Sequence, residues 1–139
     1  MGRAVPCMNS IETHHGGCLC GGVRYTVSGP LRSIIACHCE QCRRTSGHFA
    51  AMTSAPSANI AISNPQSLRW FRSSETAERG FCATCGSNLF WRPIGSDRMS
   101  ITAGTLDTPT GLAIEKHIFA GAKSDYYQIE DGRPQRDQW

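Results

Sequence analysis

The sequence contains no long apolar run. Nothing in it approaches the ~20 residues that carry a helix across a bilayer, so no membrane association is expected. The opening stretch, MGRAVPCMNSIETHHGG, also lacks the apolar segment of ~7–15 residues that a secretory signal carries. The expectation is a cytoplasmic protein, and in that compartment thiols stay reduced. Dense Lys/Arg tracts are absent. The formal charge of +3 permits an anionic ligand but does not point to nucleic acid. There is no Ser-His-Asp order, phosphate-binding loop or dinucleotide fingerprint, which removes the common hydrolase, kinase and dehydrogenase signatures. Repeats, low-complexity tracts and linkers are missing as well. At 139 residues the chain fits one domain.

Helix-period patterning is weak throughout, and short extended segments take its place. In VRYTV (23–27) Val23, Tyr25 and Val27 face one way while Arg24 and Thr26 face the other, before a Ser28-Gly29-Pro30 turn. Further strand-like segments are Ile34–Ala36, HFAAMTS (48–54), ANIAI (58–62), LRWFRS (68–73), SNLFWR (87–92), RMSITAG (98–104) and KHIFAG (116–121). Only the stretches near Cys42–Gly47 and over 107–114 have room for short helical turns. The fold class is mainly β, with short antiparallel strands in a single domain over 15–139. Residues 1–14, with Cys7 and Met8 among them, read as a flexible leader.

Cysteine is what the chain has in plenty: eight residues. Leaving out Cys7, they fall as C-x-C (Cys18, Cys20), C-x-C-x-x-C (Cys37, Cys39, Cys42) and C-x-x-C (Cys82, Cys85). In a strand, positions i and i+2 project to one face, so a C-x-C can aim two sulfurs at one ion. A C-x-x-C does so from a tight turn, and Gly86 suits its unusual backbone angle. Structural zinc is closed by four ligands, whereas catalytic zinc keeps a position open. Seven thiols therefore divide into Cys18, Cys20, Cys82 and Cys85 around one zinc, stapling the sheet, and Cys37, Cys39 and Cys42 around a second with a free vertex.

Other readings compete. Disulfides need an oxidising compartment, for which no export signal is present. A thioredoxin-like role for CATC needs a helix after it, where Gly-Ser and the apolar NLFW stand instead. An iron–sulfur cluster needs a fourth ligand beside the triplet. Among the histidines, His14 and His15 read as leader residues and His117 as an ordinary strand residue. His38 faces away from Cys37 and Cys39.

The segments GGCLCGGVRYTVSG, CHCEQCRRTSG, GFCATCGSNLFW and HIFAGAKSDYYQIEDGRPQ together resemble the glutathione-dependent formaldehyde-activating enzyme family, which also includes centromere protein V-like proteins. The resemblance covers roughly residues 15–136, with all seven cysteines in family order. It implies a β-tent-like fold in which Cys18, Cys20, Cys82 and Cys85 hold a structural zinc. It also implies a second, more labile zinc on Cys37, Cys39 and Cys42 at the active site. One departure stands in the tail. Many relatives carry Pro-Trp where this chain has Asp125-Tyr126, so Tyr126 is a candidate for altered substrate preference.

The activity implied is that of a carbon–sulfur lyase: a small thiol such as glutathione is joined to, or released from, an aldehyde such as formaldehyde. Soft sulfur ligands suit a further sulfur donor at an open position. Arg43 and Arg44 follow the triplet and are candidates for holding a substrate carboxylate or balancing thiolate charge. Ser46 and His48 are candidate hydrogen-bond donors at the same site. The rival readings are a non-catalytic zinc-binding interaction module of the same fold, or an enzyme acting on a different thiol or aldehyde.

Overall fold

The alternation in VRYTV becomes a buried and an exposed face: Val23, Tyr25 and Val27 are 0–1% exposed, while Arg24 and Thr26 reach solvent. The structure is a computed structural model and describes residues 12–139. The strand concerned, β2 (Arg24–Ser28), lies between β1 (Thr13–Gly17) and β5 (Ile60–Ile62) in a three-stranded antiparallel sheet.

A larger sheet carries the remaining strands: β3 (Ile34–Cys37), β4 (Ala50–Pro56), β6 (Leu68–Arg72), β7 (Ala77–Cys82), β8 (Asn88–Pro93), β9 (Arg98–Thr102) and β10 (Ile114–Ile118). Their spatial order is β10-β3-β4-β9-β8-β7-β6. All pairs are antiparallel except β10 with β3. The tail runs on beside β10, where the Pro134 carbonyl accepts from His117 N and Arg136 N donates to the His117 carbonyl.

The core sits between the two sheets. Val23, Tyr25 and Val27 meet Leu89, Phe90, Met99, Ile101 and Leu106, and Cys18 and Cys82 belong to the same cluster. Tyr25 meets Phe90 edge-on at 5.4 Å, and Trp70 lies over Phe90 at 6.1 Å with the Arg92 guanidinium 3.7 Å above its ring. Gly80, opposite Phe90 in the ladder, leaves the space these rings fill; a Cβ there would stand 3.1 Å from Trp70.

The mainly β reading holds, with one parallel pair among the antiparallel strands. Near Cys42–Gly47 a helical turn does form, as α1 (Glu40–Ser46), stopped by Gly47 at φ 81°. Over 107–114 no helix forms, and β10 begins at Ile114. Two strands escaped sequence reading. AERGFC (β7) alternates poorly because Gly80 interrupts it, and THHGG (β1) has almost no apolar residue. His14 and His15, read as leader residues, stand in β1. Cys7 and Met8 lie outside the described residues. Among those residues no helix is long and apolar enough to cross a membrane.

Candidate metal centres and the cavity between them

Four sulfurs from opposite ends of the chain converge at the edge of the core. Cys18 and Cys20 come from the turn after β1, Cys82 from the last position of β7, and Cys85 from the turn that follows. Their Sγ atoms all lie within 4.8 Å of one another, with Cys18–Cys20 at 3.6 Å and Cys20–Cys82 at 3.8 Å. Tetrahedral zinc with ~2.3 Å bonds sets its sulfurs ~3.8 Å apart. Backbone N–H groups aim at the sulfurs: Val23 at Cys18 (3.2 Å), Gly22 at Cys20 (3.4 Å) and Cys85 at Cys82 (3.5 Å). The Ser87 hydroxyl, 3.2 Å from Cys85, is the main reason that thiol is held down to about 5. Donors placed this way favour thiolates, the form a metal takes. The spacing came from turns and not from strand alternation.

The triplet is built differently. Cys37 ends β3. Cys39 is the N-cap of α1, its Sγ accepting from the Cys42 N–H at 3.4 Å, and Cys42 lies one turn on with its side chain buried. A strand end, an N-cap and the position three residues later therefore bring three sulfurs within 4.8 Å. Cys37 and Cys42 donating to it hold Cys39 down to about 2, while Cys37 itself is pushed upward by Cys39 and Cys42. All seven described cysteines are free, and none is in a disulfide.

The three sulfurs open into a cavity of about 470 Å³. Its wall carries Arg32, Arg79, Arg98, Trp91, Phe119 and Trp139. Arg79 and Trp91 are direct partners across β7 and β8, and an Arg79 NH2 donor stands 3.6 Å from Cys42 Sγ. Arg79 Nε is buried without a partner. Arg98 leans on the Ser54 hydroxyl (3.3 Å), and Arg32 donates to the Met52 carbonyl (2.8 Å), its pKa lowered by burial. Phe119 holds φ 53°, a left-handed conformation rare for an aromatic residue and costly to keep.

Behind the triplet, between Cys37 and Cys39, His38 is 1% exposed and bonded through Nε2 to His117 Nδ1 at 2.8 Å. His117 is fully buried, and its Nε2 stands 2.8 Å from the Asp131 carboxylate.

The substrate candidates taken from sequence lie elsewhere. Arg44 is exposed and pairs with Glu40 at 2.9 Å. Ser46 is exposed at the end of α1. His48 Nδ1 stands 3.1 Å from the hydroxyl of Tyr126, and the two rings stack. Arg43 and Tyr126 border a smaller, separate cavity. None of the five lines the cavity on the triplet. The residues that do were missed because each looks ordinary alone. Only their strand parity, with Ala77 and Arg79 or Trp91 and Pro93 on one face, hinted at a common wall.

A sequence profile described as "Glutathione-dependent formaldehyde-activating enzyme" matches residues 13–122. A protein of Schizosaccharomyces pombe described as an uncharacterized lyase is 33% identical over 120 residues, covering 84% of this chain and 85% of its own length. A crystal structure of a Rhodobacter sphaeroides protein superposes with a TM-score of 0.57 at 25% identity, covering 70% of this chain and 91% of the other. Residues 123–139, beyond the profile match, supply Asp131 to the histidine pair and Trp139 to the cavity wall.

Proposed function

Because the chain belongs to the glutathione-dependent formaldehyde-activating enzyme family, we propose that it is a zinc-dependent, lyase-type enzyme of carbon–sulfur bonds. It takes a small carboxylated thiol, glutathione or one like it, and makes or breaks its adduct with an aldehyde such as formaldehyde. The observation carrying this reading is the three-thiol cluster in the wall of an arginine-lined cavity. Two zinc ions per chain are assigned, one to Cys18, Cys20, Cys82 and Cys85, the other to Cys37, Cys39 and Cys42. The donor chemistry fits: soft sulfurs at zinc spacing, several with an N–H aimed at them. Three-cysteine zinc, when bound, supplies a sulfur-seeking position that favours a thiol's deprotonated form.

The chain's own residues do the rest. Arg79, beside Cys42, offsets thiolate charge and is free to take a carboxylate through its planar fork. Arg32 and Arg98 add positive charge further along the wall, matching a thiol with more than one carboxylate. Trp91, Phe119 and Trp139 exclude water and cover the apolar part of the substrate. In the forward direction the substrate sulfur bonds to the aldehyde carbon. The carbonyl π pair moves to oxygen, which takes up one proton. Cleavage is the reverse. A reducing, cytoplasmic setting suits seven free thiols. Arg43, Arg44, Ser46, His48 and Tyr126 are assigned no substrate contact here.

Exchange NMR on glutathione with formaldehyde tests the reading. The adduct forms without catalyst, so the rate with zinc-loaded protein is compared with Cys42→Ser and with no protein. Faster exchange with the wild type alone is expected. Equal rates in all three would sink the enzymatic assignment and leave a zinc-binding module.

A further inference from the structure

Native proteins rarely leave a buried donor unpaired. Three buried side-chain donors have no hydrogen-bond partner among the described residues: Arg43 Nε, Arg79 Nε and Ser124 Oγ. Arg79 belongs to the cavity on the triplet. The other two border one separate cavity of about 280 Å³, lined by Arg43, Lys123, Ser124, Asp125 and Tyr126. No lining residue is shared between the two cavities.

The smaller cavity is built from segments far apart in sequence. Arg43 projects from α1, one position after Cys42, while the other four follow β10. Ser124 is 6% exposed, so its hydroxyl is committed to the interior. Lys123 is held in place by donating to the Tyr127 carbonyl at 2.7 Å, and two of its three N–H directions remain. Tyr126 is tied down in turn, its hydroxyl donating to the Gly47 carbonyl at 3.3 Å. The sole carboxylate of the lining, Asp125, is exposed and forms no ion pair with Arg43 or Lys123 among the described residues. Two cations and one anion leave the lining with an excess positive charge.

We propose that this cavity is a second binding site, for a small oxyanion: a carboxylate or phosphate head group received by Arg43 Nε–H, the Ser124 hydroxyl and the Lys123 ammonium. A water molecule would satisfy Ser124 but leave the charge of Arg43 and Lys123 without a counterpart. Charge-assisted bonds to one oxyanion satisfy all three donors at once. The volume lies below the ~300–1,000 Å³ usual for a whole drug-sized ligand, which suits a head group and little more. The site owes nothing to the thiol chemistry assigned above and stands if that assignment fails.

The test uses the zinc-loaded full chain at low ionic strength, titrated with inorganic phosphate and, separately, with acetate. Amide shifts of Lys123, Ser124 and Gly47 are followed by NMR. Saturable shifts with either anion are expected, and the tighter arm identifies the head group. Arg43→Gln should weaken binding about tenfold or more, the loss of one charge-assisted bond, and Ser124→Ala severalfold. Arg44→Gln, which removes the neighbouring charge outside the cavity, should leave it unchanged. If Arg43→Gln does not fold, Ser124→Ala carries the comparison. No saturable response, or one that the Arg44 change weakens as much as the cavity changes, overturns the proposal.

Discussion

His38 Nε2 and His117 Nδ1 face each other at 2.8 Å inside the protein, directly behind the three-cysteine cluster. A third member, Asp131, closes the chain on the far side of His117. The Asp131 carboxylate only accepts, so His117 Nε2–H donates to it. His117 Nδ1 and His38 Nε2 share the hydrogen bond between the two rings. The pair anchors the residue between Cys37 and Cys39 to β10 and the tail.

An acid-sensitive stability follows. Burial first, and the facing His117 second, push His38 down to about 4, against an ordinary value near 6.5. The unfolded chain takes up this proton as pH falls through about 6.5, the folded chain only near 4. Stability from this source is thus full above 6.5 and is lost between those limits, at up to ~1.4 kcal/mol per pH unit. Urea unfolding of zinc-saturated protein at several pH values should show the slope. His38→Gln keeps every thiolate and should flatten it. An equal slope would assign the whole effect to metal release.

The two cysteine clusters should respond differently to loss of a member. Cys82 is fully buried in the core cluster, so Cys82→Ser is expected to lose one zinc and the cooperative fold together, because structural zinc contributes its ~10–16 kcal/mol of binding to folding. Cys42→Ser should lose the other ion and keep the fold. Metal analysis beside far-UV circular dichroism separates the outcomes. A folded, zinc-free Cys82→Ser would contradict the structural assignment.

Arg79 is the test of the cavity wall. Arg79→Gln keeps hydrogen-bonding capacity but removes the charge beside Cys42. A drop of about 10–100-fold in thiol-dependent rate, or in the affinity of the second zinc, is expected. Arg44→Gln, on the exposed side of α1, should fall within ~0.5 kcal/mol of wild-type stability and leave the rate unchanged. Equal effects at both positions would show that overall charge matters and the position of Arg79 does not.

Gly16 is required for a close approach. A Cβ on it would stand 2.4 Å from the Tyr25 hydroxyl oxygen and 2.5 Å from the Thr105 carbonyl, both fixed by packing. Gly16→Ala should cost ~1–3 kcal/mol, the usual range for overpacking. The midpoint of denaturant unfolding measures it, and an unchanged midpoint would mean the two sheets separate more easily than their contacts suggest.

How much of this was readable in advance depends on the distance over which each feature is specified. The β2 alternation and the short turn of α1 are local, and each followed from neighbouring residues. Cysteine spacing was local too, and a metal's demand for three or four ligands let short motifs be combined across the chain. AERGFC and THHGG gave no pattern of their own and became strands by pairing with partners that did.

Residue type and spacing alone were thus enough for the two cysteine clusters, the mainly β character and the family. Spacing and residue type suffice where one atom must bind several sulfurs at fixed distance. What surrounds those sulfurs is set by packing between distant segments. Arg79 reaches Cys42 because β7 and β8 pair in a register that sets Arg79 beside Trp91. Arg43, next to Cys42 in sequence, turns into another cavity because successive helix residues point about 100° apart. Two histidines 79 positions apart meet because β10 lies parallel to β3. Contacts of that kind depend on chain crossings that adjacent residues do not encode.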